Sequence, residues 1–465
     1  MASSSKKVCV VGAGVSGLVS ARELRREGHE VTVMEQSSGV GGQWLYDART
    51  DSGDPLGVAG VPSSIYASLR LNTPRESMGF SDYPFVYPSI DDDDGDARRY
   101  PGHAEFLRYI RGFCDAFGLM DAVRLNTKVL HVGLLAPPGH DDDGGVTRWT
   151  VRCSSRRGDC EGEVVTTEET FDAVVVAVGQ FTHPRLPTIN GMDKWSRRQL
   201  HSHSYRTPDS FQDQVVVVVA AWTSRWSSLK AARDVHISVK SVDDGDGAIF
   251  PGMRKAVSRH HNLHLHLQID CLCEDGQVVF ADGSSVIADA VVYCTGYDLS
   301  FPFLDTGGVV TVDDNRVGPL YEHTFPPALA PSLSFVGVPK RVVVPRFYET
   351  QARWVAQVLS GRRMLPSSEE MMAWAEEHHR AREMAGMPKR HAHEFFDDYN
   401  CCDEFGEKHC GFPRLEDWKK ELRWASVTRQ RGDGSETFRD VYHDSELVRQ
   451  GLLAQGWPAG SQQHK

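Results

Sequence analysis

A strand-glycine-helix signature near the start of the chain constrains its fold more than any other feature. The β-branched run Val8 to Val11 leads into GAGVSG, and an apolar-periodic stretch through Leu18, Ala21 and Leu24 follows and closes at Gly28. A second strand-like run begins at Glu30 and ends on Glu35. In such a unit the first glycine makes the tight turn, the second lets a diphosphate approach the backbone, and the third lets helix and strand pack closely. The diphosphate rests on the helix N-terminus, where aligned peptide dipoles concentrate roughly half a positive charge. Gly12, Ala13, Gly14, Val15, Ser16 and Gly17 are therefore read as a dinucleotide cradle. Glu35 is placed to accept a hydrogen bond from a ribose hydroxyl. An acid there suits FAD or NAD and opposes a 2′-phosphate.

The same grammar returns at Phe171 to Gly179, Val215 to Val219 and Val291 to Gly296. Aliphatic strands repeated before special residues predict an α/β chain with a parallel, doubly wound sheet. The unit after Val219 is short. Nineteen residues separate Val11 from Val31, but fifteen separate Val219 from Val235, a difference of about one helical turn. A shortened βαβ crossover still fits.

At about 150 residues per domain, 465 residues make roughly three domain-sized units. A net charge of −12 argues against nucleic acid as a partner. The longest aliphatic run, Val215 to Ala221, falls far short of the ~20 residues that cross a bilayer. No apolar leader precedes the first strand, and the ten cysteines are scattered, so a reducing, cytoplasmic setting is expected. The acidic runs Asp91 to Asp94 and Asp141 to Asp143 read as solvated loops. His260, His261, His264 and His266 read as solvent-facing strand histidines rather than metal ligands, and Cys401, Cys402, His409 and Cys410 as C-terminal packing. No metal site is expected. The run from Ser367 to Ala385 reads as a surface helix.

GGQW at 41–44 sharpens the picture, together with SLRLNTPRESMGFSDYPF at 68–85, RRYPGHAEFLRYI at 98–110, CTGYDLSFPFL at 294–304 and VGPLYEHTFPPALAPSLSFVG at 317–337. On these segments the chain resembles the flavin-containing monooxygenases, specifically the plant group that resembles the glucosinolate S-oxygenases. The resemblance runs nearly end to end. It implies two nested dinucleotide-binding (Rossmann-like) domains: a discontinuous FAD domain (1–190 and 289–365), an NADPH-binding-like insert (191–288) and a helical C-terminal extension (366–465). It also implies that NADPH reduces FAD. O2 then forms a C4a-hydroperoxyflavin that oxygenates a soft sulfur or nitrogen centre of a small molecule.

The resemblance places Gly42, Gln43 and Trp44 beside the flavin and Leu71 and Asn72 at the isoalloxazine. The Asn72 amide is the candidate catalytic donor. Local sequence alone allows a second account, an Asx turn before Pro74. Thr295 and Gly296, like Gly179, are either cofactor contacts or ordinary strand-end turns.

The second glycine motif departs from the family. Ala220 stands at its first glycine, only Ser224 remains of its signature, and Arg225 stands at its last glycine. A Cβ in a left-handed turn costs roughly 1 to 2 kcal/mol, so an impaired NADPH cradle is expected. The counter-reading makes Arg225 a phosphate fork and Lys240 a partner of the 2′-phosphate. Around Trp195, Arg197, His201 and Tyr205, His201 reads as support for the inter-domain linker, not a general base. Three functions stay open: an NADPH-using monooxygenase, an FAD protein with impaired NADPH use, and a flavoprotein oxidase or disulfide reductase. The last wants a spaced cysteine pair, whereas Cys401 and Cys402 are adjacent.

Overall fold

Valine-rich runs apolar on both faces demand burial on both faces, and parallel sheets supply it. The computed structural model describes residues 5–49, 53–58, 62–89, 91–135, 147–156, 164–220, 231–241, 251–396, 398–432 and 436–458. Its parallel strands are β1 (Lys7–Val11), β2 (Glu30–Met34), β3 (Val123–Arg124), β4 (Ala173–Val176), β5 (Arg198–His201), β6 (Val215–Ala220), β7 (Asp234–Ser238), β8 (Leu263–His266), β9 (Ala290–Cys294) and β10 (Leu333–Phe335). They form two five-stranded sheets, ordered β10-β4-β1-β2-β3 and β5-β9-β6-β7-β8. Every neighbouring pair is parallel.

The helices are α1 (Val15–Arg26), α2 (His103–Ala116), α3 (Pro251–Arg259), α4 (Arg346–Leu359), α5 (Ser368–Met384), α6 (Tyr399–Cys410), α7 (Asp417–Arg431) and α8 (Glu446–Ala454). Among the described residues, helices pack on one face of each parallel sheet and an antiparallel meander on the other. Val8, Val10 and Val175 pack with α1, α2 and α4, whereas Cys9, Val11 and Val174 pack against an antiparallel meander of strands Thr127–Leu134, Trp149–Arg156 and Val164–Phe171. The second sheet repeats the plan. Val216 and Val218 cluster with Ala256 of α3, and Val217 with Leu272, Val278 and Phe280 of a second meander.

The registers make the two sheets twins. Val11 pairs with Met34 and Val176 in the first, and Val219 with Ser238 and Tyr293 in the second. Ala220 thus stands where Gly12 stands, Val239 where Glu35 stands, and Gly296 where Gly179 stands. The paired positions Lys7 and Glu30 lie 23 residues apart and their counterparts Val215 and Asp234 lie 19 apart, so the four-residue shortening is real. The boundary placed at 289 also shifts, because β9 hydrogen-bonds between β6 and β5 and belongs to the second sheet.

A buried ion network fixes α1 from its far face. The Arg22 guanidinium bonds Glu23, Asp82 and Glu349 at 2.9, 2.6 and 2.7 Å, and Glu349 also accepts from Ser81 N at 2.8 Å. Removing one partner of such a pair costs about 3 to 5 kcal/mol. In the C-terminal extension the expected helix forms as α5, and it opens with a capping box between Ser367 and Glu370. Asp92 of the first acidic run pairs with Arg108 in a loop; Asp141 to Asp143 lie outside the described residues.

His261 is exposed and the His264 side chain stays 40% exposed, as expected, whereas His266 is largely covered. His264 stacks on His236 at 4.5 Å and His266 on Phe280 at 4.0 Å, while His266 also meets His236 Nδ1 at 2.9 Å. No group of residues able to hold a metal is found among the described residues, and no helix among them is long and apolar enough to cross a membrane. Near α5, His323 and His393 are buried and share a 2.9 Å Nδ1 contact, and His393 Nε2 accepts from Val317 N.

Burial holds His393 down to about 3 and His323 well below its ordinary value, with His378, His379 and Arg382 adding positive potential. Both rings stay neutral in the fold and take up protons on unfolding. Their contribution is intact above the free-imidazole value near ~6.5 and is lost as pH falls from there towards 3. The expected outcome is a Tm that drops between pH 7 and 5, with a shallower drop in His323→Phe. Equal slopes in thermal melts would contradict it.

Candidate active site

Backbone packing against backbone sets the first turn. Gly12 adopts φ +103°, and a Cβ there would lie 2.7 Å from the Ala177 carbonyl oxygen. A Cβ on Gly17 would lie 1.8 Å from the Gly12 oxygen. Gly14 differs, since it has an ordinary φ of −79° and its added Cβ would meet only the Gly42 Cα, at 3.6 Å. The protein's own packing requires glycine at 12 and 17 but leaves space at 14. No side chain caps α1 there and no acidic residue lies in its first turn. The first-turn N–H groups are open to an anion, and the cradle fits a diphosphate.

Of the other candidates of this half, Glu35 and Gly42 meet the turn directly. The Glu35 carboxylate accepts from Ala13 N at 2.7 Å and Ser37 N at 2.8 Å, leaving about two of its roughly four acceptor directions for a ligand. Gly41 N donates to Ala13 O at 2.9 Å. A Cβ on Gly42 would come within 2.9 Å of Gly14 Cα, so the two glycine motifs meet backbone to backbone. Trp44 packs edge-on against Phe106 at 4.7 Å, and the Gln43 carbonyl accepts from Ser63 Oγ at 3.1 Å. Leu71 is buried in the cluster that holds Ala13, Val15 and Val40. Asn72 is exposed and its Oδ1 accepts from the Arg439 guanidinium, while Pro74 two residues on has no N–H to close an Asx turn.

Two contributors escaped the sequence reading. Gly337 follows β10 at φ +100°, where an added Cβ would meet Ser16 at 3.3 Å, and Gln180 Nε2 binds the Gly337 and Pro339 carbonyls at 2.5 and 2.9 Å. The signal was there, since Leu333 to Gly337 repeats the strand-then-glycine grammar. Arg206 is the second. Its guanidinium binds the carbonyls of Asp47, Ser63, His203 and Tyr205 at 2.5, 2.8, 2.7 and 3.0 Å. The linker segment thereby clamps the loops that follow GGQW. His201 beside it is fully buried, accepts from His203 N at 3.0 Å and packs on Tyr297, which suits support rather than proton transfer.

At the twin turn, Ser224 and Arg225 lie outside the described residues. Ala220 ends β6 opposite Cys294. Thr295 and Gly296 flank this second turn, not the Gly12 turn, and Thr295 Oγ1 bonds the Arg185 carbonyl. Gly296 and Gly179 have φ +86° and +77°, with nothing within 4 Å of an added Cβ. Their glycine is therefore required by the turn itself and not by a close protein neighbour. Val239 is buried where Glu35 stands in the twin, and Lys240 beside it is exposed.

The model of the family described as flavin-binding monooxygenase-like matches residues 5–240 and 262–411. A second model, pyridine nucleotide-disulphide oxidoreductase, matches residues 155–326. Flavin-containing monooxygenase FMO GS-OX-like 8 of Arabidopsis thaliana is 49% identical over 97% of this chain and 95% of its own length. FMO GS-OX4 of the same plant is 42% identical over 96% and 93%. The solved structure of S-allyl-L-cysteine S-oxygenase from Allium sativum is 41% identical and covers 98% of this chain and 100% of that one, with a TM-score of 0.86.

The contrast between two glycines is testable. Gly17→Ala is expected to lower Tm and abolish flavin retention together, because its Cβ collides with fixed backbone. Gly14→Ala is expected to leave the unfolding free energy of the flavin-free protein within about 1 kcal/mol of wild type while weakening flavin binding at least tenfold. Equal flavin affinity of Gly14→Ala and wild type, read by fluorescence titration, would remove the cradle.

Proposed function

The chain belongs to the flavin-binding monooxygenase-like family and is a flavin-dependent monooxygenase, and from that premise we propose an FAD enzyme that draws electrons from NADPH. It places one oxygen atom of O2 on a soft sulfur or nitrogen centre of a small molecule. One observation carries the FAD half: among the described residues nothing beyond ordinary contact with Gly42 would meet a Cβ on Gly14, at the open N-terminus of α1. The similarity to an S-allyl-L-cysteine S-oxygenase favours sulfur.

In this reading Gly12 to Gly17 hold the FAD diphosphate, Glu35 the ribose, and Gly42, Gln43, Trp44 and Leu71 wall the ring. A bound flavin supplies the electron transfer and O2 activation. The chain positions and shields. Asn72 donates through Nδ2 to negative charge developing on the reacting oxygen, a contribution typically about 2.7 to 4 kcal/mol for one donor. An amide suits this because it offers a hydrogen bond without an acidic proton.

On the donor side, Val239 in place of an acid removes the group that would repel a 2′-phosphate, and exposed Lys240 can pair with it. The first nucleotide domain then comprises residues up to 190 and from about 295 to 365, with the donor domain between. Cys401 and Cys402 are adjacent on α6 rather than spaced as a redox pair, which disfavours a disulfide reductase.

Flavin-loaded protein mixed with NADPH under anaerobic conditions is expected to lose its yellow absorbance, faster than with NADH, and Lys240→Ala is expected to erase that preference. Ala220→Gly with Arg225→Gly is expected to speed the bleaching. Colour that persists at about 1 mM donor, the upper end of ordinary KM values, would leave the NADPH-driven reading without support.

A further inference from the structure

Asn72 is held by a residue 367 positions away. Between α7 and α8, Arg439 reaches back to the loop that carries the candidate amide. Its Nε donates to the Leu71 carbonyl at 3.0 Å, and its Nη2 donates to Asn72 Oδ1. We infer that Arg439 is a positioning residue for oxygenation, orienting the Asn72 amide so that its Nδ2 hydrogens face the reacting oxygen. The inference deepens the proposed function and rests on its reading of Asn72.

The chemistry of the pair sets the orientation. A free amide has two nearly equivalent flips, but a guanidinium offers only donors. The face of Asn72 turned to Arg439 must therefore be Oδ1, and Nδ2 points the other way. Among the described residues Nδ2 meets no acceptor. A cation on Oδ1 also polarises the amide and strengthens Nδ2–H as a donor. Gripping the Leu71 carbonyl at the same time fixes the backbone on which the amide rides.

Neighbouring contacts keep the segment in place. Arg70 pairs with Asp440 at 2.7 Å, Arg99 bonds both oxygens of Asp444 at 2.6 and 2.8 Å, and Arg423 donates to Thr73 Oγ1 at 2.7 Å. These tie the extension to the same loop without touching the Asn72 amide. They supply the control for a purely structural role.

The test uses the full-length, flavin-loaded protein with Asn72→Ala, Arg439→Ala, Arg439→Lys, Asp440→Ala and the double variant Asn72→Ala with Arg439→Ala. Three quantities are read: the share of NADPH oxidation that escapes as H2O2, the visible spectrum of the oxidised flavin in the absence of O2, and Tm. Asn72→Ala and Arg439→Ala are each expected to raise the escape roughly tenfold and to shift the spectrum in the same direction. Arg439→Lys restores part of both. Asp440→Ala lowers Tm and moves neither. The double variant is no worse than Asn72→Ala, as for two residues acting through one group. If Asn72→Ala changes escape and spectrum but Arg439→Ala and Arg439→Lys do not, or if the two effects add in full, the positioning role is overturned while the reading of Asn72 survives. If Asn72→Ala itself changes nothing, both fall.

Discussion

At the end of β1 two stretches of backbone approach so closely that no side chain fits between them. The missing Cβ of Gly17 would lie 1.8 Å from the Gly12 carbonyl oxygen, a separation no rotamer change relieves. This contact seats α1 on its own strand and aims its uncapped N-terminus past the carboxyl ends of β1, β4 and β10. It also brings Gly42 and Gly337 to the same spot, each close enough to the turn that an added Cβ would press on it. Everything the first half of the molecule can do with a diphosphate follows from that seating.

The far side of α1 is held by charge instead. Arg22 is nearly inaccessible and fully partnered by Glu23, Asp82 and Glu349, so the helix cannot rotate without stranding a buried cation. A second set of arginines, Arg99, Arg423 and Arg439, joins the loop around residues 71 to 76 to the C-terminal extension. The extension is thus part of the frame that fixes the candidate amide rather than an appendage.

The twin turn shows what a lost constraint does. The register of β6 with β7 and β9 reproduces that of β1 with β2 and β4. Yet Ala220 replaces the glycine, Val239 replaces the acid, and the crossover is four residues shorter. The sheet survives because its stability comes from Val216 to Val218 packed on both faces, which is independent of the turn chemistry. The strand pairing of this βαβ unit does not depend on the residues of its turn.

Much of this was legible from residues alone. Strand, turn, helix and terminal acid at 8–35 announce themselves because each is a local requirement: period, φ and helix ending are properties of neighbours in the chain. The parallel pairing and the shortened crossover were legible for the same reason. What covers the second face of each sheet was not, because Cys9 and Val11 look equally apolar under a helix or a meander. Nor could the boundary near 289 be read, since Ala290 to Cys294 has the composition of a strand in either sheet. The histidines of β8 alternate as exposed residues would, and His264 is half-exposed, but stacking on Phe280 from another strand covers His266. The sequence by itself therefore determined the nucleotide-binding units and their order. Only the tertiary structure decided which distant residues hold the site, Arg206, Gln180 and Arg439 among them, because a guanidinium or amide finds its carbonyls through space and leaves no periodic trace along the chain.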